Sequence, residues 1–399
     1  MPAQVTRKRV RGFDLQLSRR VDLLLLLSIV ILLCLGLVMV ASASVTIADQ
    51  NTGHPFYYFY RQLLYVALGV LMMVFVYRLP LGFWENAGLL MLLITMVLLV
   101  MVLIPGIGKT VNGSSRWLPL GPFNLQVSEL AKLMMVVYLA GYLVRQGEKV
   151  RALPKELLRP IAVMSILGVL LLMEPDFGAT AVLIATTLAM IYLGGVRLGP
   201  LFLLIVLASV VMALVIGGSP ERMERITSFF DPWQDPYNSG FQLTQSLIAI
   251  GNGAWFGTGL GESIQKLFYL PEAHTDFLFA VLAEELGLLG VCVVITLYTL
   301  VVWRCFVSGA QAESQQRPFG AYLCYGIGVW IALQAFINMG VNMGMLPTKG
   351  LTLPLMSAGG SSMLVTCVAL GLVLRVGRES LEAGRPRSAA GRTSYKIVS

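Results

Sequence analysis

The stretch VDLLLLLSIVILLCLGLVMVAS, residues 21–42, decides the fold class of this chain. It contains a single charged residue, Asp22, and is long enough to cross the hydrocarbon core of a bilayer as one helix. Six Lys and Arg residues precede it in residues 1–20. A soluble core does not need an apolar run of this length, so the stretch predicts a transmembrane helix.

The rest of the 399-residue chain repeats this pattern. Its residues are 57% hydrophobic and only 13% charged, which is typical of a protein that crosses the membrane many times. We therefore predict an all-α polytopic membrane protein of about ten transmembrane helices. The fifth run is short, so we expect it to break at Pro175 or to lie inside the bundle. The nine further runs are 59–78, 86–104, 127–144, 160–174, 177–195, 199–217, 279–302, 319–341 and 357–374.

The distribution of Lys and Arg predicts the orientation of the chain. With both termini in the cytoplasm, 21 of the 29 Lys and Arg residues lie in the tails and inside loops, as the positive-inside rule requires. We therefore predict basic cytoplasmic tails at 1–20 and 378–399 around a membrane domain at 21–377. The net charge of +8 comes mostly from the Lys and Arg residues of the two tails, which set the orientation in the membrane, so we expect no nucleic-acid partner.

The connection between the seventh and eighth runs, residues 218–275, is the longest in the chain and predicts a large extracytoplasmic loop. Its middle, Phe241 to Ile250, has the pattern of a short interfacial amphipathic helix. Five glycines then follow between Gly251 and Gly261, and we expect them to make a pliable flap. This stretch lacks the GxxxxGK[ST] pattern of a nucleotide-binding loop.

The string LPEAHTDFLF at 270–279 contains the first candidate site. Asp276 stands where the chain re-enters apolar sequence, and a partly desolvated carboxylate there can act as a general base. The other reading, which is compatible with the first, is that Asp276 or Thr275 caps the eighth helix. In helical register Glu284 shares the face of Asp276, about 12 Å deeper. His274, one of only two histidines, lies beside them.

A second candidate group precedes and opens the fourth run. Glu129 and Lys132 are three residues apart and can pair on one helix face, with Arg116 and Trp117 just upstream. Cations near a membrane interface suit a phosphate-bearing head group. The alternative is a structural ion pair that anchors the loop.

Two further strings carry polar groups. In MLPTKGLTLPLMSAGGSSM at 345–363, Lys349 and Ser361 lie near a helix start that can hold an anion, although Ser and Gly are also ordinary capping and packing residues. In Glu174-Pro175-Asp176, two carboxylates flank a helix break that makes a tight turn or shapes a polar cavity. The five cysteines show no paired spacing, so we expect neither a disulfide framework nor a metal cluster.

These acids and cations concentrate on the predicted outer half of the bundle. A transporter should carry polar residues along its whole depth, so the pattern favours a reaction or binding site at the outer leaflet.

Three strings resemble the SEDS family (shape, elongation, division and sporulation) over residues 20–375, and its division branch more than its elongation branch. They are RWLPLGPFNLQVSELAKL at 116–133, PEAHTDFLFAVLAEELG at 271–287 and NMGVNMGMLPTKGLTLPLMSAGGSS at 338–362. Two positions depart from the family pattern. Val127 stands where Pro is usual, and Ala358 stands where Tyr is usual.

The resemblance implies a peptidoglycan glycosyltransferase that polymerises lipid II at the outer face of the bacterial cytoplasmic membrane, at the division septum. Asp276 matches the essential aspartate of the family. We expect it to deprotonate the acceptor sugar in an inverting displacement of undecaprenyl pyrophosphate. Substrate-binding candidates are Arg116, Trp117, Glu129, Lys132, His274, Thr275, Lys349 and Ser361.

We expect the departing pyrophosphate to need positive charge, from Arg116, Lys132, Lys349 or a divalent cation, Mg²⁺ or Mn²⁺, as the one cofactor. The expected partners are a class B penicillin-binding protein and other division membrane proteins. Two alternatives from other functional classes remain open, namely a lipid II flippase and a non-catalytic scaffold. In a scaffold, Asp276 would be only a helix cap.

Overall fold

The structure is a computed structural model that describes residues 22–111, 114–121, 123–152, 154–267, 269–348 and 350–383. These residues form twelve α-helices and one small sheet. The helices are α1 Leu23–Thr52, α2 Tyr57–Arg78, α3 Leu81–Leu103, α4 Val127–Ala152, α5 Leu158–Met173, α6 Phe177–Leu193, α7 Leu198–Gly217, α8 Pro220–Phe230, α9 Phe241–Asn252, α10 Leu278–Ser314, α11 Pro318–Asn342 and α12 Gly360–Ala383.

Ten of these helices coincide with the ten apolar runs. Nine regions of the described chain are helical, long and apolar enough to cross a membrane, and α6 adds a 17-residue apolar helix at the lower limit for a span. The predicted all-α multi-pass architecture is therefore correct. α5 ends at Met173, so the short fifth run breaks before Pro175. Residues 1–20 lie outside the described part of the chain. α12 continues to Ala383, past the predicted boundary at 377.

The first helix shows how local sequence sets its bounds. Asp22 is the N-cap of α1, and its carboxylate accepts a hydrogen bond from the backbone N–H of Leu25 at 3.1 Å. The helix ends at Gly53, which adopts a left-handed conformation with φ of 69°. Glycine reaches this conformation without steric cost, so the chain can turn sharply into α2.

The core lies among α4, α11 and α12, whereas α7 faces outward with Leu201 as its single buried residue. Small residues let the helices approach closely. An added Cβ on Gly36 of α1 would lie 2.7 Å from the Cα of Met356, and one on Gly371 of α12 would lie 2.8 Å from the carbonyl oxygen of Met73. The second contact, between α12 and α2, is of the kind that usually associates helices in a bilayer, whereas Met356 lies in the loop before α12.

A three-stranded antiparallel sheet, which the sequence did not predict, precedes α4. Its strands are β1 Lys109–Val111, β2 Ser114–Leu120 and β3 Phe123–Gln126, in the order β1-β2-β3. Trp117 pairs with Gln126, and Leu118, which is buried, pairs with Leu125. The sheet therefore holds Arg116 and Trp117 on a fixed strand rather than on a free loop.

The connection between α7 and α10 contains α8, α9 and a glycine-rich segment that packs against a break in α10. At Gly287 the backbone leaves the helical conformation, with φ of 64° and ψ of −165°. An added Cβ on Gly253 would lie 1.9 Å from the carbonyl oxygen of Ala283, and one on Gly257 would lie 2.1 Å from that of Glu285. Glycine is needed at both positions because only hydrogen fits there.

Backbone hydrogen bonds join the glycine segment to the break. Thr258 N donates to Glu284 O at 2.9 Å and Gly259 N to Glu285 O at 3.1 Å, while Leu288 N donates to Ala254 O at 3.0 Å. These bonds satisfy groups that the break frees, as is required inside a membrane protein. Residues 253–259 are thus packed against α10, which differs from the pliable flap that we predicted. α9 is present as expected, but its residues Leu243, Thr244, Ser246 and Ala249 are buried in the protein.

A buried acid of α10 holds the next part of this connection. Glu284 accepts hydrogen bonds from Ser263 Oγ at 2.5 Å and from the backbone N–H groups of Ile264 and Gln265, both at 3.4 Å. Because α10 begins at Leu278, Asp276 is not in helical register with Glu284, and our expectation of a shared face is wrong. Glu284 organises the connecting segment instead.

Candidate active site

Asp276 lies two residues before α10, and it does not cap the helix. The N-cap position is Phe277, and no side chain of the N-cap residue bonds to the helix. Instead, Asn342 Oδ1 of α11 accepts a hydrogen bond from the backbone N–H of Ala280 at 3.1 Å. The hydroxyl of Thr275 donates to Glu272 Oε2 at 2.7 Å. The capping interpretation of Asp276 and Thr275 is therefore not supported.

The backbone of Asp276 is fixed, whereas its carboxylate is available. Its carbonyl oxygen accepts hydrogen bonds from Asn338 Nδ2 at 2.9 Å and from Asn342 Nδ2 at 3.1 Å. The half-buried carboxylate accepts no hydrogen bond from the described residues. Its Oδ2 faces Gly350, where an added Cβ would lie 2.8 Å away. A reactive group needs such freedom from structural partners.

The surroundings of Asp276 favour its protonated form. Burial, followed by the negative charges of Glu272 and Asp176, raises the pKa of Asp276 to about 7, while the positive charge of Arg116 opposes the rise. A carboxyl whose pKa lies near the working pH exchanges a proton readily with a bound hydroxyl. Strongly perturbed carboxyls also concentrate at functional sites.

His274 lies two residues before Asp276 in the chain and packs against α2. Its ring lies against Tyr58 of α2 with 4.9 Å between the ring centroids, and its carbonyl oxygen accepts a hydrogen bond from Ala358 N at 3.0 Å. Because Ala358 makes this contact through its backbone, the Tyr that is usual at 358 is not needed for it. Burial lowers the pKa of His274 below its ordinary value, with Glu272 opposing. The imidazole is therefore neutral near pH 7, and its buried Nδ1 has no partner among the described residues.

Arg116 of β2 reaches the turn between α5 and α6. Its Nε donates to the carbonyl oxygen of Glu174 at 3.1 Å and its Nη2 to that of Pro175 at 2.6 Å. Asp176 caps α6 through Ala179 N at 3.1 Å and also accepts from Ser128 Oγ at 2.9 Å. The 174–176 turn therefore connects two helices and also lies beside the site. This agrees with both interpretations of the string, a tight turn and a segment that shapes a polar cavity.

Glu174 is an unusual group in this turn. Its side chain is fully buried, and neither carboxyl oxygen has a hydrogen-bond partner among the described residues. Burial and the negative charge of Asp176 raise the pKa of Glu174 to about 8, and Arg116 opposes the rise. The carboxyl is therefore mostly protonated at neutral pH.

Lys132 and Glu129 form a buried ion pair inside the bundle. Lys132 Nζ lies 2.8 Å from Glu129 Oε1 and donates to Gln334 Oε1 at 2.7 Å. The same ammonium lies 5.4 Å from the centroid of the Trp330 ring, close enough for a cation–π contact. Gln334 Nε2 in turn donates to the carbonyl oxygen of Thr352 at 3.1 Å. Lys132 is thus connected to the last loop and is enclosed by protein partners.

The remaining predicted residues differ in their placement. Ser361 accepts a hydrogen bond from Gln126 N at 2.8 Å and donates to Asn124 O at 3.0 Å, so its hydroxyl fastens β3 to α12. Lys349 lies outside the described residues. The structure therefore brings Arg116 close enough to Asp276 to affect its pKa, and His274 and Thr275 precede Asp276 in the chain. Ser361 and the Glu129–Lys132 pair are bonded to other groups of the protein.

Sequence reasoning missed Asn338 and Asn342. Both are buried amides, four residues apart in an apolar helix, and this spacing places them on one face of α11. The signal was therefore present in the sequence. It predicts a shared partner but does not identify that partner as the Asp276 backbone.

The described residues contain no group of three or more His, Cys, Asp or Glu side chains that could hold a metal ion. Mg²⁺ is often bound by one or two carboxylates together with substrate phosphates. The divalent cation therefore stays a prediction.

Known proteins of similar sequence match most of the chain. A probable peptidoglycan glycosyltransferase FtsW of Thioalkalivibrio sulfidiphilus is 58% identical over 96% of this chain and 95% of its own length. The similarly named protein of Legionella pneumophila is 55% identical over 88% and 89%.

Two solved structures share the fold. One is a chain of a peptidoglycan synthase complex that coordinates polymerization and crosslinking. It matches with a TM-score of 0.75 and 28% identity, over 90% of this chain and 98% of that one. The rod shape determining protein RodA of Thermus thermophilus matches with a TM-score of 0.66 and 27% identity, over 90% and 97%.

The match to a whole family is equally extensive. Residues 22–382 match the sequence profile described as "Cell cycle protein", which is named for FtsW, RodA and SpoVE. The chain therefore belongs to this family of cell cycle proteins, the SEDS family that its loops predicted.

Proposed function

We propose that the chain is a peptidoglycan glycosyltransferase that polymerises lipid II into glycan strands at the outer face of the cytoplasmic membrane. The relatives named as probable peptidoglycan glycosyltransferases support the reaction class. The observation that carries the site assignment is the carboxylate of Asp276. It is half-buried, its pKa is raised to about 7, and no described residue donates a hydrogen bond to it.

The proposed reaction is a single displacement. Asp276 takes the proton from the 4-hydroxyl of the acceptor sugar, and the hydroxyl oxygen attacks the anomeric carbon of the donor. The bond from that carbon to undecaprenyl pyrophosphate breaks, and the pyrophosphate leaves with the electron pair, so the configuration inverts. A positioned base contributes about 10²- to 10⁴-fold to such a rate.

A covalent glycosyl–enzyme intermediate would need a second free carboxylate about 5 Å from the first. Glu272 and Asp176 both affect the pKa of Asp276. Glu272 Oε2 accepts a hydrogen bond from Thr275 Oγ1, and the oxygens of Asp176 are engaged by Ala179 N and Ser128 Oγ. An acid that holds a helix end and a neighbouring helix is poorly suited to attack a sugar. The arrangement therefore supports inversion over retention.

Arg116 is the best-supported ligand for the departing pyrophosphate. Two carbonyl oxygens of the 174–176 turn orient its guanidinium, which has further N–H donors for phosphate oxygens. Lys132 is better suited to positioning, because its ammonium is buried against Glu129 and Gln334. Trp117, His274, Thr275, Lys349 and Ser361 remain proposed contributors to the substrate site.

The biological setting is part of the proposal. The structural likeness to a chain of a peptidoglycan synthase complex supports a crosslinking partner, which we propose is a class B penicillin-binding protein. We propose that the pair acts at the septum with other division membrane proteins. Both chain termini are then cytoplasmic, as the positive-inside rule predicts.

The two alternatives fit the structure less well. The scaffold hypothesis needs Asp276 as a helix cap, yet Asn342 provides that contact. The flippase hypothesis needs a polar path through the inner half of the bundle. At that end, Arg304 pairs with Asp22 at 2.7 Å and Arg317 pairs with Glu379 at 2.8 Å, so these charges neutralise one another.

Two assays with purified protein separate these functions. The first measures glycan strand formation from lipid II by the chain with its transpeptidase partner, and the second measures lipid II movement across proteoliposomes by the chain. We expect strands with the inverted linkage, and we expect Asp276→Ala to abolish them. Lipid II movement without strand formation would replace the polymerase by the flippase.

A further inference from the structure

Two buried asparagines of α11 meet the chain just before α10. Asn338 is 2% exposed and Asn342 is fully buried, and both donate side-chain N–H groups to the carbonyl oxygen of Asp276. A carbonyl that accepts hydrogen bonds from two buried side-chain amides is strongly fixed in place. The chain therefore gives the Asp276 backbone a dedicated anchor on a neighbouring helix.

Asn342 performs a task that α10 does not perform for itself. Helix starts leave backbone N–H groups without partners, and a side chain at the N-cap usually accepts from one of them. The N-cap of α10 is Phe277, which cannot. Asn342 accepts from Ala280 N through Oδ1 and donates through Nδ2 to Asp276 O and, at 2.8 Å, to Asn338 O. One amide thus fixes the start of α10 and the residue before it.

Asn338 connects the backbone of Asp276 to the loop that faces the Asp276 carboxylate. Its Nδ2 donates to Leu351 O at 2.5 Å as well as to Asp276 O. Leu351 follows Gly350, the residue that faces Asp276 Oδ2. The buried Oδ1 of Asn338 has no partner among the described residues, so the Asn338 side chain is held through its donated hydrogen bonds alone.

We propose that Asn338 and Asn342 are positioning residues for glycosyl transfer. They hold the Asp276 backbone and the loop opposite it, so that the carboxylate meets the acceptor hydroxyl in one geometry. Misplacing a reacting group by about 1 Å can lower a rate by about 10²-fold. This inference rests on the proposed function, because it concerns the rate of that reaction.

The test compares Asn342→Leu and Asn338→Leu with wild type in lipid II polymerisation by the complex with the transpeptidase. Leu has a similar size and lacks both donor and acceptor. We expect kcat to fall about 10- to 100-fold in each variant while KM changes less than about threefold, since the substrate contacts remain. Asn338→Leu is the safer variant for folding, because Asn338 makes no bond to the first turn of α10.

Tyr142→Phe is the matched control. Tyr142 of α4 also donates a part-buried hydrogen bond to a backbone carbonyl, that of Glu156 at 2.6 Å, but far along the helix from Glu129. We expect it to lose thermal stability to a similar extent as Asn338→Leu and to keep its kcat. The inference is overturned if kcat is normal in both Leu variants, if Tyr142→Phe loses as much kcat, or if the loss appears in KM. An inactive wild-type complex would instead reject the proposed function.

Discussion

Lys266 Nζ lies 2.8 Å from Glu285 Oε1, and this buried ion pair joins the segment before Asp276 to α10. Ser42 of α1 completes the group, because its hydroxyl donates to Glu285 Oε1 at 2.6 Å and accepts from Lys266 Nζ at 2.9 Å. Three distant parts of the chain therefore meet around one carboxylate. The pair secures the connecting segment against the break in α10.

Removal of one partner of this pair should destabilise the fold strongly. Glu285→Ala leaves the Lys266 ammonium buried without its counter-ion, which costs on the order of 3–5 kcal/mol. The double variant Lys266→Met/Glu285→Leu removes both charges and should be much closer to wild type. Denaturant titration of the detergent-solubilised proteins measures the free energy of unfolding of the single and the double variant. A single variant as stable as wild type would show that the pair is not important for stability.

Arg116 should contribute to substrate turnover through its charge and its planar shape. We expect Arg116→Ala to lower kcat/KM about 10²-fold and Arg116→Lys to recover only part of the loss, because an ammonium cannot bind both turn carbonyls and a phosphate in the same way. Steady-state polymerisation kinetics provide the measurement. Arg304→Ala, which breaks the ion pair with Asp22 at the opposite end of the bundle, is the control and should keep kcat/KM. Equal losses in the two Ala variants would contradict the assignment.

Glu174 predicts a specific dependence of stability on pH. Its pKa rises from 4.5 when unfolded to about 8 when folded, so the folded state holds a proton that the unfolded state releases. Stability from this group is therefore complete below pH 4.5 and is lost as the pH rises towards 8. Glu174→Gln cannot ionise, so between these values its stability should fall less than that of wild type, by up to a few kcal/mol. Parallel stability–pH curves for the two proteins would contradict this account.

The raised pKa of Asp276 predicts the acid limb of the pH–activity profile. The base must be ionised, so the rate of strand formation should rise with pH through a midpoint of about 7. Glu272 raises this pKa, so Glu272→Gln should move the midpoint to lower pH. Single-turnover rates as a function of pH measure the shift. A midpoint that moves to higher pH, or does not move, would mean that another group controls the limb.

The sequence predicted the membrane architecture well because hydropathy and span length act locally. The ten apolar runs correspond to ten helices, and Asp22 and Gly53 bound α1 through interactions within a few residues. The small sheet was not predicted, since its strands are only three to seven residues long and are defined by pairing. The packing of Gly253 and Gly257 on α10 likewise depends on a partner that is distant in the chain.

For the site, residue types were easier to predict than their tasks. Asp276 and Arg116 stand out in sequence because charge is rare in this chain. Whether Asp276 caps α10 depends on Asn342, which lies 66 residues away and makes the contact instead. The burial of Lys132 against Gln334, 202 residues away, is also a consequence of helix packing. Long-range contacts therefore decide which polar residue is free to react and which one holds the structure of the site.

The most direct test of the central claim compares lipid II polymerisation by wild type and Asp276→Asn, each purified with the transpeptidase partner. Asparagine keeps the size and the backbone contacts of Asp276 to Asn338 and Asn342, but it cannot accept a proton at neutral pH. We predict that Asp276→Asn binds lipid II and its partner normally and forms strands at least about 10²-fold more slowly. Strand formation at the wild-type rate would show that the carboxylate of Asp276 is not the base.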